Sequence, residues 1–120
     1  MNFLFTGAIS GFLATGISAF GAHALKGMLS DYSLDIFHTA ADYQFYHSLA
    51  LILIALLIHQ QPSPKLIWSG RFFLLGITIF SGSLYILSLT GIKWLGAITP
   101  IGGVCLLLGW LLLALHARTQ

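Results

Sequence analysis

The feature that most constrains this chain is where its charges are missing. Four runs, Phe3 to Leu25, Tyr43 to Gln61, Phe72 to Ile92 and Trp94 to Ala117, contain no Asp, Glu, Lys or Arg. Each comes close to the ~20 apolar residues that an α-helix needs to cross a hydrocarbon core. Lipid offers no water to a free amide, so backbone N–H and C=O groups must pair within each run, and helices are expected. The predicted fold is all-α: an integral membrane, antiparallel bundle of four transmembrane helices. It forms a single domain over residues 1–120, with helices near 3–25, 33–60, 69–91 and 99–117.

Composition leads to the same class, since 58% of residues are hydrophobic and 7% charged, where a soluble domain carries about a quarter charged. The net charge of +2 is spread thinly, which leaves no basic patch for a row of phosphates and makes nucleic acid an unexpected partner. Cys105 is the only cysteine, so no internal disulfide can form, and its apolar surroundings suit a buried thiol. Ala22-His23-Ala24 has the small-x-small form of a signal cleavage site, but Met1-Asn2-Phe3 supplies no basic leader. The first run is therefore expected to be an uncleaved span.

Tryptophans favour the headgroup level. Trp68 and Trp94 bracket the third run, ~39 Å apart at helical rise. Trp110 falls ~24 Å beyond Trp94 and is expected near the opposite interface. Between spans, a helix start is expected near Ser33 with Asp35 in its first turn, and Asp31 as a solvated loop charge. Thr99-Pro100 has the form of an N-cap followed by proline at N1.

Small residues recur in the first run at Gly7, Gly11, Ala14, Ser18 and Gly21, alternating steps of four and three, and this stripe is expected to let helices pack closely. Phe5, Ile9, Phe12, Leu13 and Phe20 then face lipid. The fourth run repeats the pattern with Gly102, Cys105, Gly109 and His116, and the second with Ala41, Gln44, Ser48 and Ala55. The third has two stripes, Thr78-Ser81-Tyr85-Ser88 and Gly76-Ser83-Thr90, which places it centrally.

With an even number of spans, both termini share a side with Lys65, Arg71 and Arg118, while Lys26 and Lys93 lie opposite with all three aspartates. The positive-inside rule then favours cytoplasmic termini. His23 and His47 intrude furthest into apolar sequence, and ionisable groups inside a membrane are functional candidates by default. They are expected to approach one another in the outer half of the bundle, with Gln44 and Tyr85 completing a polar pocket. Two packing histidines bonded to neighbouring helices are the blander alternative. Lys26, Asp35, His38, Asp42 and Lys93 are expected to form an interfacial network. Asp35, His38 and Asp42 share one face of the second helix, a weak candidate metal set for want of a fourth convergent ligand. No metal or other cofactor is expected. The start of the fourth helix, with Gly102-Gly103, could also receive an anionic headgroup, although capping by Thr99 explains it more simply.

No nucleophile elbow, paired-histidine zinc motif, P-loop or dinucleotide fingerprint is present. The segments SAFGAHAL (Ser18 to Leu25), HTAADYQFYHSLAL (His38 to Leu51), FSGSLYILSLTG (Phe80 to Gly91) and ITPIGGVCLLLGWLLLAL (Ile98 to Leu115) together resemble the small membrane proteins grouped as domain of unknown function 423, which include transmembrane protein 256. The resemblance covers nearly the whole chain and implies a four-helix inner-membrane protein in bacteria. It brings no activity to carry over. It bears on His23, His47, Tyr43-Gln44, Thr99-Pro100 and Gly102-Gly103, whereas Asp42 falls outside its pattern.

Three classes of function remain. A structural or accessory component that packs with itself or with a larger membrane complex leads, because small stripes are plentiful and catalytic constellations absent. A small proton-coupled transporter would need His23 and His47, since the chain has no glutamate of the kind small multidrug transporters use. A lipid or metal binder, or a membrane enzyme, comes third. Membrane lipid is the one partner that every class implies.

Overall fold

The computed structural model describes residues 2–119 and contains four long helices: α1 (Phe3–Leu25), α2 (Asp31–Gln60), α3 (Pro64–Thr90) and α4 (Thr99–Arg118). A 3₁₀ turn, Lys93–Ala97, leads into α4. The chain is a four-span, all-helical membrane protein. Helix α1 packs on α2, α2 on α3 and α3 on α4. In the most apolar stretch of each helix, 39% of residues are buried in α2 and in α3, but only 17% in α1 and 22% in α4. Two central helices thus carry two outer ones.

Caps explain where the helices begin. Asn2 Oδ1 accepts from Phe5 N–H at 3.0 Å and opens α1. Ser30 Oγ accepts from Ser33 N–H at 3.1 Å and opens α2. The start expected near Ser33 is therefore corrected to Asp31, whose carboxylate lies in the first turn, facing the positive end of the helix dipole, and not in a loop. Helix α3 starts at Pro64 instead of 69, because proline at the first position costs no hydrogen bond and Ser63 already has extended geometry. It ends at Gly91, whose φ of 73° makes the left-handed turn and whose N–H bonds the Leu87 carbonyl at 2.8 Å.

Thr99 does not cap α4. It is the first helical residue, and its hydroxyl lies 2.6 Å from Ser83 Oγ. The preceding turn occupies the role of a cap, with Ile98 N–H bonded to the Leu95 carbonyl at 3.0 Å.

Lipid tails are as apolar as leucine, so helix association in a bilayer rests on close packing and interhelical hydrogen bonds. Leu51, Ile54, Leu66 and Phe73 are fully enclosed at the centre, joined by Phe3, Ile77 and Leu106. Several contacts need glycine. The Phe3 ring covers Gly70, Leu106 covers Gly76, Phe73 covers Gly109, and the Phe80 backbone lies against Gly102. Gly7 sits against the Ser48 carbonyl and Gly21 against the Phe37 ring, while Gly11 faces Ser48 with room to spare.

Ser18 departs from the expected stripe. It is exposed, because residues 17–21 form a π-helical stretch whose wider turn rephases the helix. Ala22 is buried beyond that stretch, and Phe5, Phe12 and Phe20 lie exposed on the outer face of α1.

Candidate functional site

Short polar side chains tie the helices together along one seam. The Gln44 amide on α2 works in both directions: Nε2 donates to the Ser10 carbonyl of α1 at 3.0 Å, and Oε1 accepts from the Tyr85 hydroxyl of α3 at 2.6 Å. Ser48 Oγ lies 2.7 Å from Ser10 Oγ and 2.6 Å from the Gln44 carbonyl. Ser81 donates from α3 to the Ala40 carbonyl of α2 at 2.7 Å, and Ser69 from α3 to the Gly109 carbonyl of α4 at 2.6 Å. Among the described residues, no buried side-chain nitrogen or oxygen lacks a partner.

His47 is buried on another face of α2, among rings of three helices. Its centroid lies 5.6 Å from that of Phe73 on α3 and 5.8 Å from that of Trp110 on α4. Nδ1 is 2.7 Å from the Tyr43 carbonyl, and the Trp110 indole N–H donates to Nε2 at 3.0 Å. A carbonyl only accepts and an indole N–H only donates, so the imidazole carries its proton on Nδ1 and is neutral. A second proton, on Nε2, would set two donors against each other.

Trp110 lies ~16 Å along α4 from Thr99, within the fourth candidate span. An indole N–H at that depth needs an internal acceptor, and His47 is that acceptor.

The structure therefore divides the expected quartet of His23, Gln44, His47 and Tyr85. Gln44 and Tyr85 are bonded to each other, His47 turns to Trp110, and His23 is exposed at the end of α1 with no side-chain hydrogen bond among the described residues. The physical reason is that α1 covers the face of α2 that carries Gln44 and Ser48, while His47 faces α4. The expected interfacial network is likewise not drawn together. Lys26, Asp35, Asp42 and Lys93 are exposed, His38 is half-buried against Phe37, and no hydrogen bond among the described residues joins the five. Their side chains point outward from α2 and from the loops, where solvent can satisfy them.

Sequence reasoning missed Ser10, Ser69 and Trp110 as bonding partners. Ser10 falls one residue before Gly11, so its part in the seam was hidden behind the stripe of glycines.

Beside the His47–Trp110 pair, α2 and α4 diverge to leave a laterally open groove of about 550 Å³, with Tyr43, Tyr46, Phe80 and Gly103 among its walls. A second opening, of about 300 Å³ between α1 and α2, is lined by Thr15, Ser18, Asp42 and Tyr46. At the end of the bundle where α2 and α4 begin, Tyr32, Ser33 and Lys93 border a third, of about 520 Å³.

A UPF0382 membrane protein of Staphylococcus aureus (strain bovine RF122 / ET3-1) is 49% identical over 92% of this chain and 90% of its own length. The UPF0382 membrane protein YwdK of Bacillus subtilis (strain 168) is 43% identical over 96% of this chain and 94% of its own. No solved structure matches the chain. The family model described as a protein of unknown function, DUF423, matches residues 17–103, a stretch that holds the polar seam from Gln44 to Tyr85 and the Phe80–Gly102 contact, and the chain belongs to that family.

Proposed function

We propose that this protein is a structural or accessory component of the bacterial inner membrane, acting by association within the bilayer with a second copy or a larger complex. The observation that carries the reading is the full engagement of its buried polar atoms: all of those described are bonded inside the protein. A carrier needs polar groups that exchange partners as substrate arrives. Here the two most deeply placed candidates, His47 and Gln44, are each bonded at both of their polar ends. The outer helix α1, little buried and edged with Ala8, Gly16 and Ala19, offers the surface on which a partner helix would lie.

The termini are assigned to the cytoplasm, because Lys65, Arg71 and Arg118 share that side, against Lys26 and Lys93 on the other. Crosslinking in native membranes followed by mild-detergent purification tests the association: a defined dimer or a reproducible larger partner is expected, and a strictly monomeric protein with neither would overturn it. Solute-driven proton flux in proteoliposomes that is lost in both His23→Ala and His47→Ala variants would replace this reading with a carrier.

A further inference from the structure

Depth sets Asp42 apart from the other charged residues of its end. It lies ~17 Å along α2 from Asp31, and it shares the opening between α1 and α2 with Ala14, Thr15 and Ser18. Those three belong to the middle of a span that runs from Phe3 to Leu25. A ~30 Å hydrocarbon core takes up ~20 residues of that span, so wherever the core is set along α1, Ser18 stays ~6 Å or more inside it and Thr15 ~10 Å. Asp42 is exposed, with no hydrogen bond to its side chain among the described residues. Lipid tails offer a carboxyl group nothing, and in a single chain only water entering the opening could meet it.

The same opening carries donors. The hydroxyls of Thr15 and Ser18 are exposed and bond no other helix among the described residues, and the π-helical stretch is what brings Ser18 to the rim. Acceptor and donors thus stand at one level on one side of the α1–α2 pair. Toward the start of α1, past Thr15 and Phe45, the opening runs on into an apolar groove of about 580 Å³ walled by Gly7, Gly11 and Leu49. That side therefore has room for neighbouring helices along most of α1.

In a two-fold contact about the membrane normal, each residue meets residues of its own depth in the other copy, so the surface must complement itself. A carboxyl group beside two hydroxyls at one level does so. A basic partner of another sequence would need a Lys or Arg at the same depth, where such a charge is costly, whereas a second copy brings only groups that this chain already carries.

We propose that the face of α1 and α2 around Asp42 is the contact between two copies of this chain. Helix α1 of each lies against α2 of the other, and the Asp42 carboxyl of each accepts from the Thr15 and Ser18 hydroxyls of the other across a polar centre that excludes lipid. The proposal rests on the accessory reading, to which it adds the partner and the face.

Two measurements separate the face from that reading. In native membranes, the photoreactive residue p-benzoylphenylalanine replaces either Ala19, on the rim of the opening, or Leu111, on the exposed side of α4. A crosslink to a second copy is expected from position 19 and not from position 111. In phosphatidylcholine vesicles, Förster transfer between copies labelled at the C-terminus reads the dimer affinity. Asp42→Leu should weaken it about tenfold, and Asp42→Asn, whose amide oxygen still accepts, by less than about threefold. Asp42 is exposed in the single chain, so both variants are expected to fold, and the crosslink decides even where one does not. A dimer that crosslinks through position 111, or that keeps its affinity in a folded Asp42→Leu variant, would overturn this face and leave the accessory reading standing. Capture of a different chain at position 19 would overturn the second copy as occupant, again without touching that reading. A monomer that captures no protein at either position would overturn both.

Discussion

Between α1 and α2 an added Cβ would meet its nearest neighbours at 3.0 Å or more, Ile52 and the Ser48 carbonyl at Gly7 and the Phe37 ring at Gly21, whereas between α3 and α4 a Cβ at Gly76, Gly102 or Gly109 would come within 2.6 Å of a bulky side chain or the partner's backbone. A Cβ added at Gly11 would find its nearest neighbour 3.7 Å away, and one at Gly7 would lie 3.0 Å from the Ser48 carbonyl. A Cβ at Gly76 would come within 2.5 Å of Leu106, and one at Gly109 within 2.6 Å of Phe73. The α1–α2 pair closes its looser contact with the hydrogen bonds of Ser10, and the α3–α4 pair combines interlocking shape with the Ser69–Gly109 and Ser83–Thr99 hydrogen bonds. In lipid, where burial of apolar surface drives little association, these are the two available means.

The sharpest break in the comparison is at Gly102. In Gly102→Leu the first added carbon meets the Phe80 backbone, which cannot rotate away as a side chain could. A loss of about 3 kcal/mol or outright misfolding is expected, read by SDS-driven unfolding from mild detergent. Gly103→Leu, whose first added carbon would lie 3.8 Å from the Phe80 ring, should unfold within about 0.5 kcal/mol of the unaltered protein. Equal losses at the two positions would show that α3 and α4 do not interlock as described.

On the other seam, Gly7→Ala should cost about 1–2 kcal/mol and Gly11→Ala less than about 0.5 kcal/mol in the same titration, because only the first Cβ would crowd a backbone oxygen. Gly11→Leu should still disturb the fold more than Ile9→Leu on the exposed face of α1. If Gly11→Ala proved the worse of the two alanine variants, α1 would have to sit about one turn along from its present register.

His47 and Trp110 link α2 to α4 without close approach of the two helices. A double-mutant cycle with His47→Phe and Trp110→Phe should give a coupling of about 0.6–1.7 kcal/mol, the range for hydrogen bonds between membrane helices. No measurable coupling would mean that water or lipid, and not His47, satisfies the indole.

Much of the fold can be read in the sequence because the bilayer fixes a length. Any uncharged run that reaches that length must close its own hydrogen bonds, so Phe3 to Leu25 could hardly be anything but a spanning helix. Helix rotation has no such anchor. Gln44 and Tyr85 are bonded, and both were singled out, but His23 and His47 could be paired on paper only by assuming how α1 turns against α2. The α4 start shows the same limit. Thr99 before Pro100 reads as a cap, yet Ser83 across the interface offers its hydroxyl a second use that local sequence does not reveal.

The π-helical stretch in α1 provides the finest division, since two serines of one helix fall on opposite sides of it in role. Ser10 lies before the stretch and meets both Gln44 and Ser48, while Ser18 lies within it and is exposed. A regular helix would carry Ser18 on the same stripe as Gly7, Gly11 and Ala14, facing α2. The added residue in the wider turn shifts it to the exposed rim of that seam, where it lines an opening and bonds nothing on α2 among the described residues. Ser10→Ala should therefore cost about 0.6–1 kcal/mol in SDS-driven unfolding, the usual worth of a hydrogen bond between membrane helices, and it should leave part of the Gln44–Ser48 polar group without its α1 partner. Ser18→Ala should change stability by less than about 0.3 kcal/mol, as exposed substitutions do. A Ser18→Ala loss as large as that of Ser10→Ala would mean that α1 continues as a regular helix through residues 17–21, and that the seam with α2 runs its whole length.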